Sequence, residues 1–477
     1  MDAQKIIERA VDDRYREELI GLSRKIWELA EVGYEETRSA ETLCEALEHH
    51  GFAVTRHLVD IPTAFKGVWG KGRPVVGILG EYDAPPGLSQ EAGCPVKKPE
   101  HEGCPGHGCG HNLLGTGALA GALALKDYLE ETGKPGTVVY FGTPAEENLS
   151  GKAFMARDGA FDGVDFFLTW HPAPENRTAT PHLNANVCRT YKFKGITSHA
   201  GGAPELGRSA LDSCEIMGVG ANYLREHVIM EARIHYAYLD VGGRAPNVVQ
   251  DHAAVRYVVR APYYRQVKEI VPRLDDVARG AALICGTQVT VERESGYSEY
   301  INNKVLAQAA TEAFHAIGAP QWNDRDFALA KAFTDSFSDS MKTKEKDMIL
   351  KRYGRDRLEE KLARPLDTEI KDFDPDREEL DFGSTDVGDV GFIAPTYYFN
   401  VATEALGTPG HSWYKTGQVN SSIGQKGMLT AGKVIALTAV KVLEDPALLT
   451  AAKEEFQAKN NGQYDCPVAG VEKLPKL

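Results

Sequence analysis

Residues 107–150 read HGCGHNLLGTGALAGALALKDYLEETGKPGTVVYFGTPAEENLS and hold two groups of possible metal ligands, separated by a helix and a strand. An apolar run rich in small residues predicts the helix over residues 112–131, and a β-branched run predicts the strand over residues 137–143. Histidine, cysteine and glutamate residues stand at the ends of these elements. Because donors in such loops can converge on one ion, the stretch predicts a metal site on an α/β scaffold.

The same alternation of strand and helix extends along the first third of the chain. Further strands are predicted over residues 74–79 and 166–170, which gives a mainly parallel sheet with helices on both faces. In such a sheet, functional groups collect after the carboxyl ends of strands. Acidic residues and His171 follow three of the predicted strands in this way, so we expect one common site.

From residue 186 the pattern changes to strand, helix, strand, strand, helix and strand. This order predicts an α+β, ferredoxin-like domain inserted into the first domain. We therefore expect a discontinuous catalytic domain over residues 1–185 and 301–477, with a lid and dimerisation domain over residues 186–300. A charged stretch at about 323–380 is expected to form a solvated insertion of helix and loop.

The composition indicates a globular protein that acts on small molecules. The net charge is −14, the pI is about 5.5 and the basic residues are scattered, which argues against a nucleic acid or an anionic membrane as partner. Residues 1–22 predict a first helix and lack the apolar core of a secretory signal. The apolar run at 117–125 is shorter than the roughly 20 residues that cross a bilayer. We expect a cytoplasmic protein whose eight cysteines are reduced.

Cys109 and His111 are the strongest candidate ligands in HGCGH. A lone cysteine is more often a buried structural thiol, but glycines on both sides allow this loop to fold its donors around one point. One short loop rarely directs three side chains at the same pair of ions, so His107 is expected to pack behind the ligands. Asn112 is expected to cap the helix that follows.

Glu146 and Glu147 follow a predicted strand and the sequence Gly-Thr-Pro. Adjacent glutamates are common on helix surfaces, but two carboxylates at a strand end are costly unless cations offset their charge. We expect Glu147 to bind metal and Glu146 to act as the base. His171 in FFLTWHP and His411 in GTPGHSW complete the predicted set, although each alone could be an ordinary structural or loop histidine.

Several ordered motifs resemble the M20 metallopeptidase family, in particular its aminoacylase-like amidohydrolase subfamily with a Cys-Gly-His motif. They are GHGCGHNLLGTGALA, EENLSGKAFM, FKGITSHAGGAPELGRSALD, PNVVQ and STDVGDV, and the resemblance extends nearly from end to end. It implies two divalent ions, manganese or zinc, with Glu146 as general base. Cys109 would bridge the ions, and the remaining ligands would be His111, Glu147, His171 and His411.

The resemblance also assigns residues of the inserted lid. His199 in SHAGGAPELG would reach the active site of a second subunit and stabilise the oxyanion. Asn247 in PNVV and Arg260 would hold a carboxylate of the substrate, since an arginine fork suits a carboxylate. From the residues alone, His199 could be an ordinary loop histidine and Arg260 a solvated charge. The resemblance therefore implies a dimer, either of two identical chains or with a related A-type subunit.

Residues 81–83, Glu-Tyr-Asp, depart from the His-x-Asp of the wider family. Glu81 is thus a doubtful ligand. Asp83 is instead expected to accept a hydrogen bond from His111, as carboxylates behind metal-binding histidines do.

The expected reaction is metal-dependent hydrolysis of the amide bond of an N-acyl or N-aroyl amino acid with a free carboxylate. In its most specific form, the resemblance implies p-aminobenzoyl-glutamate, cleaved to p-aminobenzoate and glutamate. An aminoacylase or dipeptidase acting on other N-acyl amino acids or short peptides would use the same residues with a different acyl pocket. A non-catalytic partner subunit is a third hypothesis, which the intact Glu146 and ligand set argue against.

Overall fold

The chain folds around a large mixed sheet and a smaller antiparallel sheet, in a computed structural model that describes residues 2–178, 181–376, 380–460 and 464–475. The strands are β1 (Ala53–Arg56), β2 (Phe65–Lys71), β3 (Val75–Gly80), β4 (Gly136–Gly142), β5 (Phe166–Ala173), β6 (Asn176–Arg177), β7 (His182–Leu183), β8 (Ala185–Lys194), β9 (Arg233–Asp240), β10 (His252–Ala261), β11 (Gln288–Tyr297), β12 (Ile370–Lys371), β13 (Leu380–Asp381) and β14 (Thr396–Ala402). The helices are α1 (Ala3–Glu8), α2 (Arg16–Leu29), α3 (Thr37–His49), α4 (His111–Thr132), α5 (Glu146–Leu149), α6 (Gly151–Arg157), α7 (Ala210–Arg225), α8 (Tyr264–Cys285), α9 (Lys304–Ile317), α10 (Asp324–Asp335), α11 (Asp339–Tyr353), α12 (Leu358–Ala363), α13 (Val387–Gly391), α14 (Trp413–Val419), α15 (Ser422–Glu444) and α16 (Pro446–Asn460).

The large sheet has the strand order β1-β2-β4-β3-β5-β14-β6-β12. Its central strands β4, β3, β5 and β14 are parallel, whereas β1 and β2 add an antiparallel edge. Alternate side chains of β4 enter two separate cores. Val138 and Tyr140 share one core with α4 and α15, and Val139 and Phe141 share the other with α6. Helices therefore cover both faces, as the sequence predicts.

Glycines let α4 approach its neighbours closely. A Cβ atom at Gly117 would lie 2.8 Å from the Trp170 ring of β5, and one at Gly121 would lie 2.7 Å from Ile435 of α15. The Trp170 indole N–H also donates to Leu114 O at 3.0 Å. These contacts fix the first turn of α4 against the sheet, and that turn carries a candidate ligand.

The smaller sheet has the strand order β11-β8-β10-β9, with every pair antiparallel. The helices α7 and α8 cover one face and form a core of their own with Tyr191, Met217 and Leu274. The chain order β8, α7, β9, β10, α8, β11 makes this unit ferredoxin-like, as predicted. Its elements run over residues 185–297, so the unit is inserted between strands of the large sheet.

The chain begins with a helix, as predicted, but a π-helical segment, Arg9–Arg14, divides it into α1 and α2, with the N–H of Tyr15 donating to Ala10 O. One local prediction at a helix start was wrong. The cap of α4 is Gly110, whose φ of 87° suits glycine, and not Asn112. Asn112 lies buried inside α4 and donates from Nδ2 to Ser23 Oγ at 3.1 Å.

The charged stretch forms α10, α11 and α12 with the two-residue strand β12, and residues 377–379 of it lie outside the described residues. Arg352 on α11 donates to Asp367 Oδ2 at 2.8 Å and to Asn176 O at 3.1 Å. Asp367 Oδ2 also accepts the N–H of Asn176 at 2.8 Å. The insertion therefore braces β6 as well as lying on the surface.

No helix in the described ranges has both the length and the apolar composition required to cross a membrane.

Candidate metal centre

The candidate ligands lie at the carboxyl edge of the parallel strands. β3 ends directly before Glu81, β4 ends shortly before Glu146, and His171 lies near the end of β5. Cys109 and His111 come from the loop before α4 and from its first residue. Because parallel strands end at the same edge, the fold gathers these distant residues at one place.

Two groups of three donors share Cys109. The first joins Cys109, His111 and His171, and the second joins Cys109, Glu147 and His411. Within each group the ligand atoms lie within 4.8 Å of one another. Cys109 Sγ is 3.4 Å from His171 Nε2, and Glu147 Oε1 is 3.3 Å from His411 Nε2. Such spacings fit one ion per group at metal–ligand distances of about 2.0–2.3 Å.

Two donor atoms of these groups are buried and have no hydrogen-bond partner among the described residues. They are His111 Nε2 and Glu147 Oε1. Since buried polar atoms are nearly always paired, a cation is the partner that would satisfy both. The combination of thiolate, imidazole and carboxylate donors also fits a divalent ion by its chemistry.

The buried groups shift one another's pKa values. Burial opposes ionisation of Cys109, but the adjacent His111 and His171 outweigh it and hold the pKa of the thiol well below its usual value. Burial raises the pKa of Glu147 to about 7, and the nearby thiolate adds to the rise. The negative charges of the neighbouring Cys109 and Glu147 raise the pKa of His411 to about 10. Cys109 is therefore a thiolate, the form in which cysteine binds metals.

Asp83 orients two of the candidate ligands. Its Oδ1 lies 2.9 Å from His111 Nδ1, which leaves His111 Nε2 facing the other donors. Its Oδ2 accepts the backbone N–H of Glu147 at 2.9 Å. His171 is held similarly, with Nδ1 2.8 Å from Pro172 O. These contacts fix the direction of each ring, and Asp83 is the acceptor that the sequence predicts.

Glu146 lies beside the two donor groups that share Cys109. Ala145, in the left-handed region with φ of 58°, makes the turn that places Glu146 at the start of α5. Glu146 Oε2 is 3.9 Å from His111 Nε2, and its carbonyl accepts a hydrogen bond from the Tyr297 hydroxyl of the lid at 2.7 Å. Burial, with the carboxylate of Glu81 next in effect, raises the pKa of Glu146 well above its usual value. The carboxylate of Glu146 therefore lies next to the donors without belonging to either group that shares Cys109.

Lys152 forms a buried ion-pair network behind the ligands that sequence reasoning missed. Its Nζ lies 2.7 Å from Glu81 Oε1 and 2.6 Å from Asp386 Oδ1, and all three side chains are almost wholly buried. The other oxygen of Glu81 lies 3.2 Å from His111 Nε2. Glu81, His111 and Glu146 thus form a further group of three donors. The signal in the sequence was a lysine in a mostly apolar stretch, residues 151–156, that begins four residues after the acid pair.

The donors open into a cavity of about 560 Å³. Its wall includes Arg260 on the lid strand β10, which was predicted, and Arg177 on β6, which was not. Asn400 on β14 also lines it. Arg177 escaped notice because β6 is only two residues long and has no hydrophobic period to mark it.

His199 and Asn247 are not among the described residues that line this cavity. Both are exposed on the lid, where the N–H of Ala200 donates to Asn247 O at 2.9 Å. His199 Nδ1 accepts the N–H groups of Gly201 and Gly202 at 3.1 and 2.9 Å. A neutral His199 therefore carries its proton on Nε2, which is a hydrogen-bond donor on an exposed part of the lid.

His107 packs behind the ligands, in the place expected for it. It is fully buried, its Nε2 lies 3.0 Å from Ile26 O, and its Nδ1 accepts the N–H of Asn112 at 3.3 Å. Burial lowers the pKa of His107 to about 4, so it is neutral and supports the loop.

Comparisons with known proteins agree on one family. The profile of peptidase family M20/M25/M40 matches residues 77–338. The chain is 41% identical over 469 residues to the B-type subunit of p-aminobenzoyl-glutamate hydrolase of Escherichia coli (strain K12), with 97% of each chain covered. It is 30% identical over 463 residues to the Xaa-Arg dipeptidase of Mus musculus, with 94% of this chain and 90% of the relative covered.

Solved structures share the fold. A putative aminohydrolase from methicillin resistant Staphylococcus aureus superposes with a TM-score of 0.63 at 18% identity, covering 93% of this chain and all of the other. An aminobenzoyl-glutamate utilization protein from Klebsiella pneumoniae gives a TM-score of 0.58 at 14% identity, with 92% and 98% covered. Both similarities extend over the large sheet and the inserted unit together.

Proposed function

Because the chain belongs to peptidase family M20/M25/M40 and is therefore a hydrolase, we propose that it cleaves p-aminobenzoyl-glutamate into p-aminobenzoate and glutamate. The observation that carries this proposal is the pair of donor groups that share Cys109, with Glu146 beside them. The cavity in front of them has the size of a small-molecule site. The Escherichia coli relative, similar over nearly its whole length, supports the choice of substrate.

Two divalent ions fit the donors. His111 and His171 would hold one ion, Glu147 and His411 would hold the other, and Cys109 would contact both. Thiolate and imidazole favour zinc, whereas a site with a carboxylate also suits manganese. When bound, such ions would make a water more acidic and polarise the amide carbonyl.

Glu146 carries out the proton transfers in this proposal. Its carboxylate takes a proton from the attacking water and gives it to the leaving amine nitrogen, so that one water is consumed for each amide bond broken. His199 of a second copy donates from Nε2 to the developing oxyanion. Arg260 and Asn247 hold the free carboxylate of the amino acid.

A second chain is needed to complete such a site. His199 and Asn247 are exposed and do not line the cavity of their own chain, and the sheet of the lid ends in the edge strand β9. Tyr236, Tyr238 and Leu239 are exposed on this strand. Apolar side chains on a strand at the edge of a sheet favour pairing with another sheet. We infer a homodimer, with a related A-type subunit as the alternative partner.

A dipeptidase is the second candidate function. Asp381 lines the cavity, and an acidic group there would suit a substrate with a basic side chain. The Mus musculus relative is named for dipeptides that end in arginine. A non-catalytic subunit is a weaker hypothesis, because Glu146 and all of the candidate ligands are present together.

The test is hydrolysis of p-aminobenzoyl-glutamate by the purified chain after chelation and after addition of manganese or zinc. The matched control is Glu146→Gln, purified in the same way, which keeps the shape of the side chain and removes the base. We expect p-aminobenzoate release that depends on added metal and is lost in the control.

Equal release by the wild type and by Glu146→Gln would mean that a contaminant or another base is responsible. No release by the wild type, together with cleavage of a dipeptide ending in arginine, would favour the dipeptidase. No cleavage of either compound by the metal-loaded chain would contradict a self-sufficient enzyme.

A further inference from the structure

Arg177, Asn400 and His171 form one row across three neighbouring strands. Asn400 on β14 is the register partner of His171 on β5 and also of Arg177 on β6. Register partners point to the same face of a sheet. Because adjacent strands are about 4.8 Å apart, the Cα atom of Arg177 lies roughly 10 Å from that of His171. The row therefore leads from a candidate metal ligand to a guanidinium group on the same side of the cavity.

Hydrogen bonds hold this row in place. Arg177 Nε donates to Asn400 Oδ1 at 3.0 Å, and Asn400 Nδ2 donates to His171 O at 3.3 Å. The preceding residue, Asn176, is fixed by Asp367 from the charged insertion. These hydrogen bonds fix the conformation of the Arg177 side chain, which is therefore not a mobile surface group.

None of the ion pairs found among the described residues includes Arg177. It is half-buried and lines the cavity, and its Nε donates to the amide oxygen of Asn400 rather than to a carboxylate. Arg260 on the opposite, lid side is also without a described carboxylate: its Nη1 donates to Ser384 Oγ at 3.5 Å and its Nε has no partner among the described residues. Two guanidinium groups without described counter-ions, facing one cavity, are arranged for a ligand with two negative charges.

We propose that Arg177 binds the side-chain carboxylate of the substrate, while Arg260 binds its other carboxylate. This subsite rests on the proposed function and adds to it a preference for acylated dicarboxylic amino acids, glutamate above all. Asp381 also lines the cavity, but it is exposed and its Oδ1 accepts the N–H of Gly383 at 2.9 Å. Arg177, in the row that begins at His171, therefore sets the preference for a negatively charged substrate side chain.

The test compares two substrates that differ only in this charge, p-aminobenzoyl-glutamate and p-aminobenzoyl-glutamine. For the wild type we expect kcat/KM to be about 10- to 100-fold higher for the glutamate conjugate, the range for a charge-assisted hydrogen bond. Arg177→Gln should lose that factor on the glutamate conjugate and change little on the glutamine conjugate. Arg177→Lys keeps the positive charge but not the two parallel N–H donors of the guanidinium group, so it should retain part of the preference for the glutamate conjugate.

A binding measurement separates this role from catalysis and from general damage. Isothermal titration of p-aminobenzoyl-glutamate into metal-loaded Glu146→Gln should lose about 10-fold or more in affinity when Arg177→Gln is added. The matched control is Arg279→Gln on the exposed side of α8, where the guanidinium pairs only with Asp276 among the described residues. It should leave both the affinity and the substrate preference unchanged.

Failure of the Arg177 subsite and failure of the proposed function would give different results. Similar wild-type rates on the two conjugates, or an equal loss on both in Arg177→Gln, would overturn the subsite and leave the hydrolase standing. If neither conjugate is cleaved, the proposed substrate is wrong. The ratio of kcat/KM for N-acetylglutamate to that for N-acetylglutamine then tests the role of Arg177 in the same way. Absence of binding and cleavage across both pairs overturns the two proposals together.

Discussion

Lys152 and Glu81 form an ion pair that is closed off from solvent directly behind the candidate ligands. Their Nζ and Oε1 atoms are 2.7 Å apart, and the same ammonium lies 2.6 Å from Asp386 Oδ1. Burial disfavours the charge on Lys152, but the two carboxylates outweigh burial and raise its pKa above the usual value. One cation therefore offsets two buried acids beside the site.

Lys152→Met should be strongly destabilising, because it leaves Glu81 and Asp386 buried without their cation. We expect a loss of about 3–5 kcal/mol in the free energy of unfolding, measured by urea denaturation. Lys192→Met is the control, since Lys192 pairs with Glu292 on the exposed lid surface, and it should change stability by less than about 1 kcal/mol. Equal effects of the two substitutions would contradict the importance of the buried network.

Metal stoichiometry should follow the two donor groups. His171 belongs to one group and His411 to the other, while Cys109 belongs to both. Removing either histidine should lower the metal content from about two ions to about one per chain. Cys109→Ala should lower the metal occupancy of both sites. Elemental analysis after dialysis checks this. Two retained ions in both histidine variants would show that the ligands are assigned wrongly.

Mixing two inactive variants should restore activity if the site is shared between chains. Glu146→Ala lacks the base, and His199→Ala lacks the donor supplied to the partner. In a mixed dimer, one of the two sites has both residues intact. After co-refolding or co-expression at equal amounts we expect about a quarter of the wild-type rate. Activity no higher than the sum of the separate variants would argue that His199 acts within its own chain or not at all.

Glu345 should make the free energy of unfolding depend on pH, independently of the candidate metal centre. It is buried on α11, its Oε1 has no partner among the described residues, and burial raises its pKa to about 7. In the unfolded chain its pKa is about 4.3. The unfolded state therefore loses this proton first, and stability falls as the pH rises between about 4.3 and 7.

Glu345→Gln removes this titration while keeping the shape of the side chain. We expect the variant to be more stable than the wild type by about 1–3 kcal/mol at pH 8, and little different at pH 4. Urea unfolding at both pH values provides the comparison. The same difference at both pH values would mean that ionisation of Glu345 is not the cause.

The architecture was predictable because strand and helix periods in this chain are regular. The β-rich run predicted over residues 137–143 is β4, and the order of elements in the lid is the predicted one. The failure at Asn112 has a local cause. The left-handed Gly110 decides where α4 begins, and a pattern that averages over several residues does not record such a boundary.

The site was predictable where a residue stands in a motif and unpredictable where it acts through a neighbour. Cys109 and His111 are two positions apart in sequence, so their chemistry is visible there. Lys152 is noticed only through its ion pair with Glu81, and Arg177 only through its hydrogen bond to Asn400, and both contacts join residues far apart in sequence. That His199 is exposed and does not line the cavity of its own chain likewise required the folded lid.

The register between His171 and Asn400 joins strands whose residues are 229 positions apart. At about 5–20 residues per second, a ribosome delivers β14 roughly 10–45 s after β5. The lid is contiguous and can fold during that interval, while the edge of β5 that faces β14 has no partner. Vectorial synthesis therefore leaves the thiol and imidazole of an unfinished metal site beside an open strand until His411 has emerged.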